Sequence, residues 1–401
     1  MDSADRPPAI VLGTGITALG VLRILARDRV RSYAADALDP LLLRSRWYRP
    51  VPGAPLPRDG DLGAWLARLD LPSAVLLPCS DHWASAVAAL DPCMAERFAS
   101  SVPPAETLDC FVDKARFAAL LQEAGIPHPT SYDVDATNAH DAAAAINAAP
   151  DSLFANAILK PRDSQGFMAR YGVKALHVHS RAEARAKLER LRREGVPVIL
   201  QEYIAGPPTE HFFVDGFIDR FCTVRGIFAR RRLRMYPSDF GNSTAMVSVA
   251  PSDARGAIDS VTKLLRRVHY RGVFSAELKR DSRDGVFKLI EINARPWWYV
   301  DFAARCGVDV CRMAYRDALG EPVETVKDYA VGRTLVFPYY DYFACLEEWR
   351  RGDLSLFHWA QSWMHAMQPV FQLRDPTPGV RSFAKVIGQS IARRLWSAES
   401  Y

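Results

Sequence analysis

The sequence predicts a parallel α/β domain at the N-terminus, then an α+β unit of two subdomains, and a helical, aromatic-rich C-terminal extension. Three observations predict it. Short apolar runs alternate with helical patterns through the first hundred residues; from Ala157 to Val249 the pattern turns to strands around one clear helix; and two further strands, Phe274 to Arg280 and Val286 to Asn293, flank the turn-forming Arg283-Asp284-Gly285. Strands alternating with helices form a parallel sheet, whereas consecutive strands form an antiparallel meander.

In chain order, Ala9 to Leu12 reads as a strand, Thr17 to Arg27 as a helix, and Ser32 to Asp36 and Ala74 to Pro78 as further strands. Pro103, Pro104 and Glu106 lead into a helix from Asp113 to Ala124 that Gly125 closes, which sets a boundary near residue 105. Arg181 to Arg193 is the single helix of the next region, and Phe212 to Ile218, Phe221 to Phe228 and Leu233 to Tyr236 read as the meander. A helix from Asp253 to Val268 precedes the last two strands, and beyond Tyr329 no clear fold signal remains. The division is therefore 1–105, 106–195, 196–330 and 331–401. At 401 residues, 49% hydrophobic and 24% charged, the chain has the composition of a globular protein of two or three domains.

The bulk properties exclude several classes. No apolar run reaches the roughly 18 residues that cross a bilayer, and Asp2 and Asp5 stand where a signal peptide needs a basic start, so a cytoplasmic protein is expected. Seven scattered cysteines with no Cys-x-x-Cys pair suggest neither a zinc site nor a disulfide framework. The net charge of +5 is modest and lacks an aromatic-basic nucleic-acid motif, so small anionic molecules are the expected partners.

The strongest chemical signal is the segment from Phe274 to Pro296. If Arg283-Asp284-Gly285 forms a three-residue loop with Gly285 left-handed, Glu277 stands opposite Glu291, and alternation puts Asn293 on the same face as Glu291. Carboxylates gathered beside Leu289, Ile290 and Ile292 repel each other and are costly to desolvate; a hard cation relieves both problems. Oxygen donors without His or Cys favour magnesium, or manganese in its place. A plain surface hairpin, with both glutamates paired to Lys279 or Lys288, is the competing reading.

Glu277 followed by Glu291-x-Asn293-x-Arg295 resembles the magnesium site of the ATP-grasp ligases. The resemblance implies an N-terminal pre-ATP-grasp domain, a two-subdomain ATP-grasp fold, and use of ATP with magnesium to turn a carboxylate into an acyl phosphate that a second substrate attacks. It also implies roles. Lys114, opening the helix to Gly125, and Lys160, ending Ile158-Leu159-Lys160, would meet the phosphates. Gln201, Glu202, Tyr203 and Ile204 would clamp adenine, and Glu210 the ribose. Ser164 and Gly166 would form a glycine-poor lid with Arg162, and Arg295 would join Lys160 in catalysis. The stretch from Glu291 to Trp297 looks closest to carboxylate-amine ligases of the D-aspartate ligase kind, which implies a carboxylic acid and an amine as substrates; a homodimer is common among such enzymes.

Other residues carry competing readings. Gly13-Thr-Gly15-Ile-Thr-Ala18, with Asp36 ending the next strand, is close to a dinucleotide fingerprint and gives the rival, a nicotinamide-dependent oxidoreductase. In the ligase reading, Gly15, Asp36, Ser80, Asp81 and His82 instead line a substrate crevice. A protein that binds nucleotide without catalysis is a further alternative. Arg230, Arg232 and Arg234 alternate on a strand and either reach substrate or guard a solvated edge. Trp297, Trp298 and Tyr299 wall an acceptor pocket or pack in the core, and Asp239 to Thr244 is a candidate substrate loop. His177 and His179 lack companions for a metal role. A helix from Val380 to Trp396, apolar on one side and basic on the other, packs on its own domain or meets a partner or membrane.

Overall fold

The computed structural model describes residues 6–36, 38–53, 56, 60–134, 139–162 and 164–381. Four parallel strands open it, in the order Ser32–Ala34, Ala9–Leu12, Ala74–Pro78, Phe98–Ala99. The central strand Ala9–Leu12 is buried along its whole length, as a parallel sheet covered on both faces requires. Helix Gly15–Arg27 packs on one face through Leu19, Leu22 and Leu25, while Trp65 and Leu66 cover the other.

A second, antiparallel sheet of four strands runs Ser131–Val134, Val198–Glu202, Ala157–Pro161, Leu176–Val178. Helix Arg181–Arg193 lies on it, started by Ser180, whose side chain accepts from the Glu183 N–H, and buried through Ala184, Leu188 and Leu191. Where an open lid was expected, Ser164 and Gly166 open a further helix, Ser164–Tyr171.

The third sheet has six antiparallel strands in the order Phe287–Asn293, Gly272–Arg280, His211–Ile218, Val224–Tyr236, Asn242–Ser248, Thr334–Val336. Two of the strands expected in the meander are one, since Val224–Tyr236 continues straight through the arginine-rich stretch. Arg230, Arg232 and Arg234 are all buried, so the solvated-edge reading fails: each guanidinium has a carboxylate partner that makes an inward-facing charge tolerable. Helix Arg255–Arg267 covers the back of this sheet with Ala257, Val261, Leu264 and Leu265. The helices Ala105–Val112, which the sequence did not signal, and Lys114–Glu123 contribute Leu108, Phe111, Phe117 and Leu121 to that same core. Both therefore share the core of the large sheet, and the second also touches the four-stranded sheet that follows, through strand Ser131–Val134 and the Lys114 bonds to the carbonyls of Pro161 and Arg162.

The C-terminal extension is built onto the rest. Helices Pro338–Arg351 and Leu356–Met364 meet the meander at Asp341, and Asp375 accepts from Arg23 and Ser45 of the N-terminal domain at 3.0 and 2.7 Å. Residues beyond 381, where the basic helix was expected, lie outside the described residues. Among the described residues no helix is long and apolar enough to cross a membrane.

One capping residue carries a pH signature. Asp309 starts helix Val310–Ala318 by accepting from the Arg312 N–H at 3.0 Å, yet burial, with Asp28 nearby, pushes its carboxyl up to about 6. A carboxyl raised above its unfolded value costs stability once it ionises, so the cost is absent below the unfolded pKa near 4 and complete above 6. Asp309→Asn keeps the cap and should stabilise the protein by about 1–2 kcal/mol at pH 7.5, after allowance for partial solvent contact. Urea midpoints at pH 7.5 and 4.5 check this: the gain should shrink at the lower pH, and an equal gain at both would refute it.

Candidate functional site

The six-stranded sheet presents one face to a cleft, and the strand register arranges that face in rows. Arg230 pairs with Phe213, Phe213 with Glu277 and Glu277 with Glu291; one row along, Asp215 pairs with Ser275 and Ser275 with Asn293. The expected opposition of Glu277 and Glu291 is present, but by a different route. Gly285 is left-handed at φ 73°, and the chain reverses over 282–285, with the Gly285 N–H on Asp281 O at 2.7 Å and the Asp281 N–H on Val286 O at 2.9 Å. The loop is one residue longer than expected, and a bulge restores the register: Leu278 pairs with Leu289 while Glu277 pairs with Glu291, which leaves Ile290 as the extra residue.

The carboxylate end of the floor is polarised. Glu277 Oε1 accepts from His211 Nδ1 at 2.9 Å and from Arg232 at 3.0 Å. Burial alone would raise the Glu277 carboxyl, but Arg232 and His211 hold it well below the usual carboxylate range. Burial, with Arg232 adding to it, brings His211 down to about 4, so the neutral imidazole donates its Nδ1–H to Glu277. Glu291 accepts only from the Asn293 amide, at 3.3 Å, and has no cationic side chain within ion-pair distance among the described residues. Arg295 spans Asn293 Oδ1 at 2.9 Å and both oxygens of Asp81 at 2.8 and 3.0 Å. Two carboxylates and an amide oxygen on one face, one carboxylate without a cation, fit a hard divalent ion. Among the described residues no cluster of three or more His, Cys, Asp or Glu forms a metal set, so a metal here would take the Asn293 amide as its third protein ligand.

The four-stranded sheet faces this floor across a cleft of ≈ 760 Å³. Lys160 and Gln201, Glu202, Tyr203 and Ile204 line it together with Glu277, Glu291, Asn293, Arg295, Arg230, Arg232 and Trp297. The Lys160 ammonium makes no hydrogen bond or ion pair among the described residues. Lys114 lies behind the cleft wall, donating to the carbonyls of Pro161 and Arg162. Arg162 itself is bound to both oxygens of Asp133 at 2.8 Å, which turns it away from a phosphate-cradling role. Glu210 is outside the lining, forked onto Arg280 at 2.6 and 3.0 Å, and its neighbour His211 faces the cleft instead. Gln201 donates to Ser131 Oγ at 2.9 Å, and Glu202 is tied to Thr130, Arg283 and Lys288.

Of the N-terminal candidates only Asp81 reaches the site, through Arg295. Ser80 caps the helix Asp81–Ala88, and Asp36 accepts from the backbone of Leu38 and Asp39. The Gly15 N–H, which a dinucleotide phosphate would need, is taken by Asp39 Oδ2 at 2.6 Å, and a side chain on Gly13 would come within 2.9 Å of Cys79 Cβ. The glycines thus serve a tight turn packed against the neighbouring strand.

Two cleft residues, His211 and Lys174, escaped the sequence reading, and a third, Lys279, entered it only as a surface partner for the glutamates. Lys279 stands on the same strand face as Glu277, two residues on, donates to Gly206 O at 3.0 Å and lies 5.2 Å from the Tyr203 ring. Burial and Arg232 bring it down to about 8. His211 could have been found by alternation with Phe213 and Asp215. Lys174, held to Asn242 Oδ1 at 2.5 Å and lowered by burial, sits in a turn with no motif around it. His177 meets Asp239 at 2.8 Å across the cleft mouth, so the candidate loop after Tyr236 touches the smaller sheet.

Two antiparallel sheets hold the cleft between them beside a parallel N-terminal sheet, and this mixed α/β fold is shared with solved carboxylases, synthetases and ligases. The biotin carboxylase domain of the Hydrogenobacter thermophilus 2-oxoglutarate carboxylase, solved with MgADP and bicarbonate, superposes with a TM-score of 0.60 at 16% identity over 82% of this chain and 73% of that one. N5-carboxyaminoimidazole ribonucleotide synthetase from Thermus thermophilus gives 0.59 at 15% identity, covering 81% of each chain. L-amino acid ligase from Bacillus licheniformis gives 0.58 at 14% identity, over 82% of this chain and 78% of that one. By sequence the chain is similar to D-aspartate ligase of Enterococcus faecium (strain Aus0004), 22% identical over 253 residues. That stretch is 61% of this chain and 58% of the relative, less than two thirds of its length. No protein-family model matches the chain.

Proposed function

We propose that the chain is an ATP-dependent carboxylate-amine ligase that forms an amide and releases ADP and phosphate. The observation that carries this reading is the register-matched pair Glu277 and Glu291, with Asn293 and Arg295, on the floor of a cleft whose other wall bears Lys160 and the 201–204 hinge. The ligase names of the relatives above agree with it.

ATP supplies the phosphoryl group that makes a carboxylate oxygen a leaving group: that oxygen gains the phosphoryl, ADP departs, the amine nitrogen bonds to the acyl carbon with loss of a proton, and phosphate leaves. Phosphoryl transfer asks a protein mainly for positioning and charge compensation. Glu277, Glu291 and Asn293 would hold magnesium, Lys160 and Lys174 would meet the phosphates, and the backbone of 202–204 would receive adenine beside Tyr203. Arg295, its fork already set by Asp81 and Asn293, would face the reacting carboxylate. Lys279 keeps a donor at the base end.

Calorimetric titration of ATP with and without magnesium, on wild type and Glu291→Ala, tests the reading, with NAD run alongside. ATP should bind in a magnesium-dependent way, at least about tenfold more weakly in the variant, and NAD should give no heat. NAD binding with no response to ATP would sink the ligase reading and restore the oxidoreductase.

A further inference from the structure

Among the described residues the most exposed large apolar side chain is Leu373, at 89%, and it lies outside the cleft. With Arg374 it forms the tip of a tight turn, closed by the Asp375 N–H on Gln372 O at 2.9 Å. Both ends of the turn are fixed. Gln372 Nε2 donates to Asp301 Oδ2 at 2.5 Å, and the Asp375 carboxylate accepts from Arg23 Nε at 3.0 Å, Ser45 Oγ at 2.7 Å and the Arg46 N–H at 2.9 Å. A leucine on a free loop can fold back onto its own protein, whereas one on a turn pinned in this way stays in water. A single exposed leucine is ordinary; its neighbours give this one a meaning.

Those neighbours are basic. Arg46, Arg374 and Arg381 are all exposed, Arg46 reaches the Arg374 carbonyl at 3.3 Å, and none of the three forms an ion pair among the described residues. The one acid in 373–381 is Asp375, which is 1% exposed and matched by Arg23. The chain then turns helical over 377–381, with the Val380 N–H on Pro376 O at 3.0 Å, and Val380 is 56% exposed. From Pro376 to Ala398 the sequence holds four basic residues, Arg381, Lys385, Arg393 and Arg394, and no acidic one. Continued at helical spacing, Val380 is followed on its own side by Phe383, Ile387 and Ile391, while Arg381, Lys385 and Arg393 take the other. The described residues thus show the first turn of an amphipathic, basic pattern, with both of its faces in solvent.

We propose that the Leu373 turn and the basic stretch that follows it dock the protein on an anionic lipid surface. Charge complementarity selects the partner: unpaired arginines beside exposed apolar side chains match a surface with anionic headgroups over acyl chains, where binding grows with the apolar area buried and with the electrostatic attraction. Nucleic acid would take the arginines but offers Leu373 and Val380 no apolar surroundings. The attachment is peripheral and reversible by salt. It is anchored to the N-terminal sheet through Asp375 and Arg23, so the turn carries the whole N-terminal domain to the lipid surface with it. Nothing in it depends on the ligase reading.

The test is co-sedimentation of the full chain with vesicles of phosphatidylcholine alone and of phosphatidylcholine mixed with phosphatidylglycerol, at low and at raised salt. The chain should bind the mixed vesicles at least about tenfold more tightly than the neutral ones, and raised salt should release it. Leu373→Ser should weaken that binding about threefold or more, and Arg393→Gln with Arg394→Gln about tenfold or more. Leu373 lies in solvent, so Leu373→Ser should keep the melting temperature of wild type. No binding to the mixed vesicles at low salt overturns the proposal whatever the variants do. Equal binding to neutral vesicles overturns it too, since the arginines would then play no part, and so does binding that neither set of substitutions changes. Two further outcomes reassign the surface and overturn the lipid reading: a dimer in lipid-free sedimentation velocity that Leu373→Ser breaks up, which gives the turn to a second copy, and binding to duplex DNA, without binding to the mixed vesicles, that Leu373→Ser leaves intact.

Discussion

Replacing Asp341 by alanine should destabilise the protein by about 3–5 kcal/mol, the range for removing one partner of a buried ion pair. Asp341 is 0% exposed and accepts from Arg234 at 2.9 and 2.7 Å, Thr244 Oγ1 at 2.6 Å and Trp363 Nε1 at 2.7 Å. Alanine would leave the buried Arg234 guanidinium with Ser362 Oγ as its remaining acceptor among the described residues and no counter-charge, while Thr244, Trp363 and Cys345 lose theirs. The effect should also be spatially defined, because these donors come from the strand Val224–Tyr236, the strand Asn242–Ser248 and the helix Leu356–Met364. Loss of the shared acceptor releases the C-terminal helices from the meander. Chemical denaturation followed by tryptophan fluorescence measures both parts. The double replacement Arg234→Met with Asp341→Leu should recover most of the loss, since the cost lies in the unpaired charge and not in the missing attraction. A single-variant loss below about 1 kcal/mol would mean that water reaches Arg234 and the pair is not a dry one.

The same network explains what could and could not be read from the chain. Apolar runs such as Ala9–Leu12 and Ala74–Pro78 announced themselves because a strand covered on both faces has no polar positions. The segment Ala229 to Met235 read as a strand, but its arginines left open whether they reach substrate or guard a solvated edge, whereas Asp215, Glu277 and Asp341 turn three of them inward. Those carboxylates lie 15, 45 and 107 residues away, beyond the reach of any local pattern. The helix Ala105–Val112 was missed because Pro103 and Pro104 suggest a linker, although Pro104 in fact stands at the N-terminal boundary of a helix. At the site, Glu277 and Glu291 were legible as a pair because two departures cancel: a longer loop shifts the register by one and the bulge at Ile290 shifts it back. Asn293, on the same strand as Glu291, followed by alternation, whereas Arg295, just beyond the strand's end, was legible only through the motif it shares with the ligases. Lys174 comes from a turn on the other sheet, and only the closing of one sheet over the other brings it to the cleft.

On the proposed function, Arg295→Met should lower the turnover of the ligase reaction by about 10²–10³-fold, the loss expected when a preorganised donor aimed at developing charge is removed. Arg295 is held by Asp81 through two hydrogen bonds and by Asn293 through one, so its position is set before any substrate arrives. Asp81 starts helix Asp81–Ala88, which follows a strand of the N-terminal parallel sheet, so this pair joins that sheet's helices to the floor of the cleft. Asp81→Asn weakens the clamp but leaves the guanidinium in place, so its effect should be smaller, about tenfold. ATP binding in the presence of magnesium separates the alternatives. If Arg295 acts on the carboxylate being activated, affinity for the nucleotide should change by less than about threefold while turnover collapses. A parallel loss of affinity would move Arg295 to the phosphates. Unchanged turnover in Arg295→Met, with a lower melting temperature, would reduce the Arg295–Asp81 pair to a bridge between domains and leave the activation of the carboxylate to the metal and Lys160 alone.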